Sequence, residues 1–378
     1  MYEHRTAGVI SHRPVLDRHD PITIAREFVR LRFMVDVLRA IHFYRSEFFV
    51  YERGSYRKSD SADIRAAIWA FLEEAQRLDD KHLEEFKPTL TIVSNVVDAL
   101  RAVCHLDSQH DTPMWLEGAQ VPQARHPADE ILVVANGLLH VPTRELHEAT
   151  PAFFTTSASE AAFDKGATAP QWNRFLDEVF PHDPKARDLL QEWFGYNLTP
   201  ITYLQKVMLI IGPKRGGKGI MLRVLTALLG SSSVAAMTLA DLAKDFGKKK
   251  LIGKPACVMS DVRFSKRSDP ASVAENLLSI SGEDAVCIQR KFLDDWIGRL
   301  RTRFTMATNE LPRLEDSSGA LVERFLVLQL TQSWAGREDT TLFDRLNGEL
   351  PGILNWALVG YGRLMESRRF DMPDSSAD

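Results

Sequence analysis

The chain has 378 residues, 44% of them hydrophobic and 26% charged, which allows two or three globular domains and excludes a wholly disordered chain. A formal charge of −4 excludes a protein that coats nucleic acid by bulk positive charge, while leaving room for a local basic surface. Three widely spaced cysteines, Cys104, Cys257 and Cys287, point to a reducing compartment and to neither a disulfide framework nor a zinc site.

The first residues, MYEHRTAGVISHRP, hold no apolar signal core, and no later run approaches membrane-spanning length, so a cytoplasmic protein without a membrane partner is expected. Residues 1–20 read as a flexible arm. Apolar residues at helical spacing (Ile24, Phe28, Leu31, Met34, Val35, Leu38) predict a helix from Ile22 to Arg39. HFYRSEFFVYERGSYRKSD then alternates as a β-hairpin turning at Glu52-Arg53-Gly54. Ser61 is placed to cap a helix through Ile64, Ile68 and Leu72, with helices continuing to about residue 105. ILVVANGLLHVPTRE predicts a second hairpin with Asn136-Gly137 at its turn. Loops at Pro142, Pro151 and Pro170 lead to a helical region, Trp172 to Leu198, closed by Pro200. The main boundary is expected at residues 170–200. The expected divisions are an arm (1–20), an α+β domain of mainly helical character with short hairpins (21–170), a helical collar (171–200), an α/β domain (201–365) and a disordered tail (366–378).

Within the α/β domain, residues 207 to 220 read VMLIIGPKRGGKGI: apolar strand, glycine-rich turn, then a helix through Leu229. That is the spacing of a phosphate-binding P-loop. Gly212, Pro213, Lys214, Arg215, Gly216, Gly217, Lys218, Gly219 and Ile220 are the candidate nucleotide contacts. The glycines let backbone N–H groups approach a polyphosphate, and Lys218 reaches its outer phosphates. Gly219 stands where a serine or threonine is expected, so the hydroxyl that helps hold Mg²⁺ is missing.

Strands are predicted at ACVMSD, TRFTMATN and RFLVLQL, with helices between them and a last helix from about Leu350, an α/β alternation. Asp261 ends the first of these strands, in the position of a metal-binding Walker B acid, and Val262 follows where a second acid often stands. Asn309 ends the next strand, where an amide can orient a water or a γ-phosphate. Arg324 precedes the last strand and is suited to spread transition-state charge over phosphate oxygens, in its own subunit or a neighbour.

Lys218, Asp261, Asn309 and Arg324 in this order, with NELPRLEDSSGALVERFLVL around the last two, resemble superfamily 3 helicases, and most closely the phage and plasmid primase-helicase family. NGLLHVPTRELHEATPAFFTT, WNRFLDEVF, LLQEWFGYNLTP and ELPGILNWALVGYGRL extend the resemblance over roughly residues 130 to 365. It implies an AAA+-like P-loop ATPase that forms a ring, commonly a hexamer, around single-stranded or forked DNA. Lys218 would bind phosphate, Asp261 the Mg²⁺ ion, Asn309 would act as sensor, and Arg324 as a finger toward ATP in the next subunit. Slow hydrolysis, or a base from elsewhere such as Glu275 or Glu283, is compatible with the missing hydroxyl and second acid.

SGEDAVCIQRKFLDD resembles the family segment that projects a hairpin into the ring channel, with Arg290 and Lys291 near DNA. A second basic cluster, KDFGKKKLIGK, includes Lys244, Lys248, Lys249, Lys250 and Lys254. Cations lining a pore attract phosphates without reading bases. Core packing suits Phe292 and Trp296 better than base stacking. His105 and His110 have too few nearby ligands for a metal site.

The resulting expectation is an ATP-driven DNA helicase of phage, prophage or plasmid replication in a bacterial cell, with a primase or other replication protein as possible partner. Two alternatives stand beside it. One is a weakly hydrolysing nucleotide- and DNA-binding ring serving as initiation scaffold or loader. The other is the helicase part of a primase-helicase, although nothing before residue 130 resembles a primase active site.

Overall fold

A computed structural model describes residues 13–116, 126–244, 246–262, 269–290, 293–310 and 319–373. The chain divides into two compact units, Met1–Glu52 with Tyr56–Asp111, and Arg53–Ser55 with Thr112–Asp378.

The first unit opens with α1 (Pro21–Arg32), whose N-cap Asp20 accepts from Thr23 N at 3.0 Å and whose Pro21 lacks an N–H that the first turn does not use. Ile24, Ala25, Phe28 and Val29 form its buried stripe. The helix expected to reach Arg39 stops at Arg32. Asp36 turns the chain at φ 54°, and β1 (Met34–Val35) pairs back onto β2 (Leu38–Arg39). Met34 and Val35 are exposed, so the helical spacing beyond Leu31 corresponds to no buried face.

The expected hairpin is a three-stranded meander, β3 (Ile41–Tyr44), β4 (Glu47–Glu52) and β5 (Ser55–Ser59). Arg45-Ser46 and Arg53-Gly54 all have positive φ, the backbone of primed two-residue turns. Asp60, not Ser61, caps α2 (Ser61–Glu73). The continuous helices expected to residue 105 are interrupted by β6 (Gln76–Asp79) and β7 (His82–Glu85), mostly polar strands without an apolar alternation. α3 (Leu90–Val103), capped by Thr89, completes a core containing Phe28, Phe71, Leu72, Val96 and Leu100. Residues 13–20 are not a free arm: Leu16 is buried and donates its N–H to Gln76 O at 2.8 Å, while Gln76 N–H donates to Pro14 O at 2.9 Å.

The second unit begins with β8 (Met114–Trp115) and an antiparallel sheet of β9 (Ile131–Val134), β10 (Gly137–His140) and β11 (Glu145–His147). Next comes β12 (Phe153–Phe154), which pairs with β8. Gly137 lies opposite Val134, so the turn is Ala135-Asn136, one residue earlier than expected. A Cβ on Gly137 would lie 2.3 Å from His147 O, which explains a glycine at the start of β10. α4 (Pro170–Val179) and α5 (Pro184–Tyr196) form the collar. The Glu349 carboxylate caps α4 from a distant part of the chain, accepting from Gln171 N at 3.1 Å and Trp172 N at 3.0 Å.

There follow β13 (Val207–Ile211), α6 (Lys218–Leu229), β14 (Val234–Ala236), α7 (Leu239–Leu242), β15 (Ala256–Met259) and α8 (Pro270–Ser281). The chain continues through the hairpin β16 (Ala285–Arg290) and β17 (Leu293–Arg299), then β18 (Arg303–Thr308), β19 (Phe325–Gln329), α9 (Leu342–Asn347) and α10 (Leu350–Ser367). Five strands make a wholly parallel sheet in the order β14-β15-β18-β13-β19. Strand alternation separates its faces: Met208 and Ile210 join a core with α5, α6 and α10, whereas Val207 and Leu209 join another with Leu277 of α8.

No boundary falls at residues 170–200. Trp172 and Trp193 of the collar share a core with Leu132 and Leu139 before them and Met208 after them, and Trp193 Nε1 donates to Thr305 Oγ1 at 2.9 Å. The division lies instead at residues 111–112. α5 and α10 approach backbone to backbone, since a Cβ on Gly360 would lie 2.2 Å from Gln191 O. Phe370, assigned by sequence to a disordered tail, is buried with its ring 5.5 Å from that of Tyr196.

Candidate functional site

The glycine-rich turn joins the C-terminal end of β13 to the first residue of α6. It is seated on the segment after β19: Leu330 N–H donates to Ile211 O at 2.7 Å, Ser333 Oγ to Lys214 O at 2.9 Å, and Trp334 N–H to Arg215 O at 3.1 Å. A Cβ on Gly212 would meet Leu330 O at 2.7 Å, and one on Gly216 would meet Gln332 O at 2.9 Å. Gly217 has φ 89°, a left-handed conformation that a side chain would strain. Gly219 differs, since nothing lies within 4 Å of a Cβ built there. Lys214 is exposed, Pro213 half-buried, and Ile220 packs against the core beneath α6. Arg215 pairs with Glu338 at 3.2 Å.

Lys218 is buried, 9% exposed, with its ammonium turned into the loop. It donates to Gly212 O at 2.6 Å, Pro213 O at 2.8 Å and Asn309 Oδ1 at 3.0 Å, which uses all three protons. Burial lowers its pKa, and the Asp261 charge opposes that shift. Asn309 reaches the lysine because β18 lies beside β13, with Thr308 opposite Ile211. Asp261 follows β15, the next strand outward. Thr308 Oγ1 donates to Val262 O at 3.1 Å and Val262 N–H to Ala307 O at 2.9 Å, so the chain just past Asp261 is fastened to β18.

Lys218, Asn309 and Asp261 thus converge at the C-terminal ends of adjacent parallel strands, the edge where ligands bind in open α/β sheets. Val262 is 3% exposed and faces the core, so an acid at that position would not face this edge.

Arg324 is not part of this cluster within its own chain. It precedes β19, which starts opposite Val207 at the far end of β13, and strand rise puts about 13 Å between the ends of that strand. Its guanidinium donates to Ser281 Oγ at 2.9 Å and Leu278 O at 3.2 Å, at the end of α8. Glu283 shares that region and accepts from Thr202 Oγ1, so it does not lie with Lys218. Glu275 is exposed on α8.

The expected channel hairpin exists as β16 and β17, with Arg290 pairing with Leu293; Lys291 and Phe292 lie outside the described residues. Trp296 packs in the core. Most of the second lysine cluster has a structural role. Lys248 Nζ donates to Asn276 Oδ1 at 2.8 Å, Lys250 pairs with Asp241 at 3.2 Å, and Lys254, its pKa lowered by burial, donates to Ser232 O. Lys244 and Lys249 are exposed. One cluster went unread in the sequence: His126, His140 and Glu145, which the antiparallel sheet draws together. HVPTRELHE places histidines and acids at short intervals, and that was the available signal.

Fold and site define a two-unit α/β protein with a glycine loop, a buried lysine and an acid at one edge of a parallel sheet. Residues 32–181 match the family described as D5 N terminal like, and residues 210–324 match a family of unknown function, DUF5906, which runs from β13 to Arg324. Among solved structures, two apo structures of the NrS-1 C-terminal region are similar with TM-scores of 0.55 and 0.54. Each is 14% identical and covers 91% of this chain, and 71% and 69% of those chains. A third, an A-form apo structure of the same region, has a TM-score of 0.52 at 12% identity over 91% of this chain and 72% of its own. At that identity the likeness speaks to the fold. The D5 N-terminal-like match supports the phage and plasmid primase-helicase family that the sequence resembles. No helix among the described residues is long and apolar enough to cross a membrane.

Proposed function

We propose that the chain is a P-loop ATPase of the superfamily 3 helicase type, which assembles as a ring on single-stranded or forked DNA in phage, prophage or plasmid replication. One observation carries this reading: Lys218 is held by the P-loop carbonyls and by Asn309, beside Asp261. The order of the parallel sheet supports it, because the strand before the P-loop is flanked by the fourth and fifth core strands, the AAA+ arrangement.

In this reading Lys218 exchanges its neutral carbonyl partners for phosphate oxygens, which bind an ammonium more strongly. Asn309, released from the lysine, has an amide with which to orient the attacking water. Mg²⁺, when bound, would neutralise phosphate charge, and Asp261 is the residue to hold it. Arg324, remote from Lys218 of its own chain, suits a finger directed at ATP on a neighbouring subunit. Arg290 and Lys291 of the hairpin would face the DNA backbone.

A second reading, a nucleotide- and DNA-binding scaffold with little hydrolysis, is favoured by two observations: Gly219 offers no hydroxyl, and the position after Asp261 is a core valine. Steady-state ATP hydrolysis with and without single-stranded DNA, using Lys218→Ala as the blank, separates the two. Turnover stimulated by DNA supports the motor. No turnover above the blank in either condition overturns it in favour of the scaffold.

A further inference from the structure

We propose that His126, His140 and Glu145 form a zinc-binding site, separate from the nucleotide edge, that fastens residue 126 to the β10–β11 hairpin. Each residue offers one ligand atom, and these atoms lie within 4.8 Å of one another. Two imidazoles and one carboxylate are a donor set suited to zinc, which takes four ligands and accepts nitrogen and oxygen together.

One of the three spacings matches two ligands of a shared ion better than a plain ion pair. His126 Nε2 lies 3.4 Å from Glu145 Oε2. A charge-assisted hydrogen bond between these groups would be about 2.7–2.9 Å. Two ligands on a tetrahedral zinc, each at about 2.0–2.1 Å from the metal, stand about 3.3–3.4 Å apart. The His126 and His140 rings stack with centroids 3.6 Å apart and planes 10° from parallel. A neutral imidazole is the form that ligates metals. Metal entry would splay the stack until both lone pairs converge.

The surroundings hold the ligands in place. Trp115 Nε1 donates to His126 O at 2.9 Å and fixes that backbone. His140, whose side chain is 5% exposed, is held on both ring nitrogens, by Glu130 Oε2 at 2.8 Å from Nε2 and Thr143 Oγ1 at 2.7 Å from Nδ1. A carboxylate on the second nitrogen is the usual outer partner of a metal-bound imidazole. One of the two contacts opens on ligation, and Thr143, which is exposed, yields at the lower cost. His147 Nε2, 4.0 Å from the same Glu145 oxygen, stands next to a fourth position open to water.

The test is zinc binding to the full chain. The wild-type protein, loaded with ZnCl₂ and passed over a desalting column, is expected to retain a stoichiometric ion by metal analysis. Co²⁺ in its place is expected to give the intense visible bands of a tetrahedral site. His126→Ala and Glu145→Gln change residues at the accessible side of the cluster, so the fold should survive, as circular dichroism would show. Each is expected to weaken zinc binding by more than about tenfold and to abolish the cobalt bands. Wild-type protein that retains no more zinc than the His126→Ala/Glu145→Gln double variant would overturn the proposal. Full retention by both folded single variants would overturn it equally, by moving the metal elsewhere.

Discussion

The Lys218 ammonium donates to Asn309 Oδ1 across 3.0 Å, linking the first residue of α6 to the residue that follows β18. The lysine keeps two carbonyl partners if that amide is removed, so Asn309→Ala should leave the melting temperature nearly unchanged. Under the proposed function it should lower kcat for ATP by about 100-fold or more, the cost of losing one preorganised polar group. Lys218→Ala should abolish turnover altogether. Steady-state hydrolysis beside thermal melts checks both variants, and wild-type kcat in Asn309→Ala would take that residue out of the site.

Gly219 occupies the first turn of α6, and a side chain placed there meets no atom within 4 Å. Gly219→Ser should therefore fold at least as well as wild type, since replacing a helical glycine gains up to about 1 kcal/mol. It also restores a hydroxyl beside the Lys218 position. The expected result is faster hydrolysis at a lower Mg²⁺ concentration, read from turnover across a magnesium titration. A titration that coincides with wild type would mean that the metal is held without this hydroxyl.

Arg324 bonds to Ser281 and Leu278, whereas Lys218 lies at the other end of β13. Arg324→Ala should keep nucleotide affinity within a few-fold of wild type and abolish hydrolysis. Rings doped with Lys218→Ala subunits supply the decisive measurement. A finger acting on a neighbour lets Arg324→Ala and Lys218→Ala subunits restore some turnover when mixed. A finger acting on its own subunit leaves the mixture inactive.

The two lysine groups should separate in the same way. Lys248→Ala removes a donor from Asn276, whose amide also reaches Leu242 O and Ser272 O, so stability should fall by about 1 kcal/mol with DNA affinity little changed. Lys291→Ala should weaken single-stranded DNA binding and reduce its salt slope by about one unit. Fluorescence anisotropy across a salt series measures both. Unchanged affinity in Lys291→Ala would remove the hairpin from the DNA path.

Four of the five strands of the parallel sheet, β13, β15, β18 and β19, were legible because each carries a local signal, a run of apolar residues with a glycine turn or a polar residue at the strand end. β14, only Val234–Ala236, was too short to give one. Lys218, Asp261 and Asn309 fall at such ends, and the sheet brings them together. What escaped was set by distant contacts. The continuity across residues 170–200 comes from Trp172 and Trp193 sharing a core with Met208, which no local composition shift records. β6 and β7 escaped because QRLD and HLEE offer no apolar alternation. The capping of α4 by Glu349, and the gathering of His126 with His140 and Glu145, need pairings that only the folded chain supplies.

His42 gives the first unit a pH dependence of definite sign. It is buried at 3% exposure with its ring against Tyr56, and burial, aided by the Arg39 charge, holds its pKa down to about 3. In the unfolded chain the same imidazole titrates near about 6.5. Between these values the unfolded state binds a proton that the folded state refuses, so acid favours unfolding. The contribution of neutral His42 to stability is complete above pH 6.5 and is lost progressively as the pH falls toward 3, by up to about 1.4 kcal/mol per pH unit. His42→Phe keeps an aromatic ring against Tyr56 and removes the titration. Urea unfolding of the full chain at pH 7 and pH 5, followed by a probe within the first unit, should show a smaller acid-induced loss in His42→Phe than in wild type. Equal losses would mean that His42 already takes up its proton in the folded state.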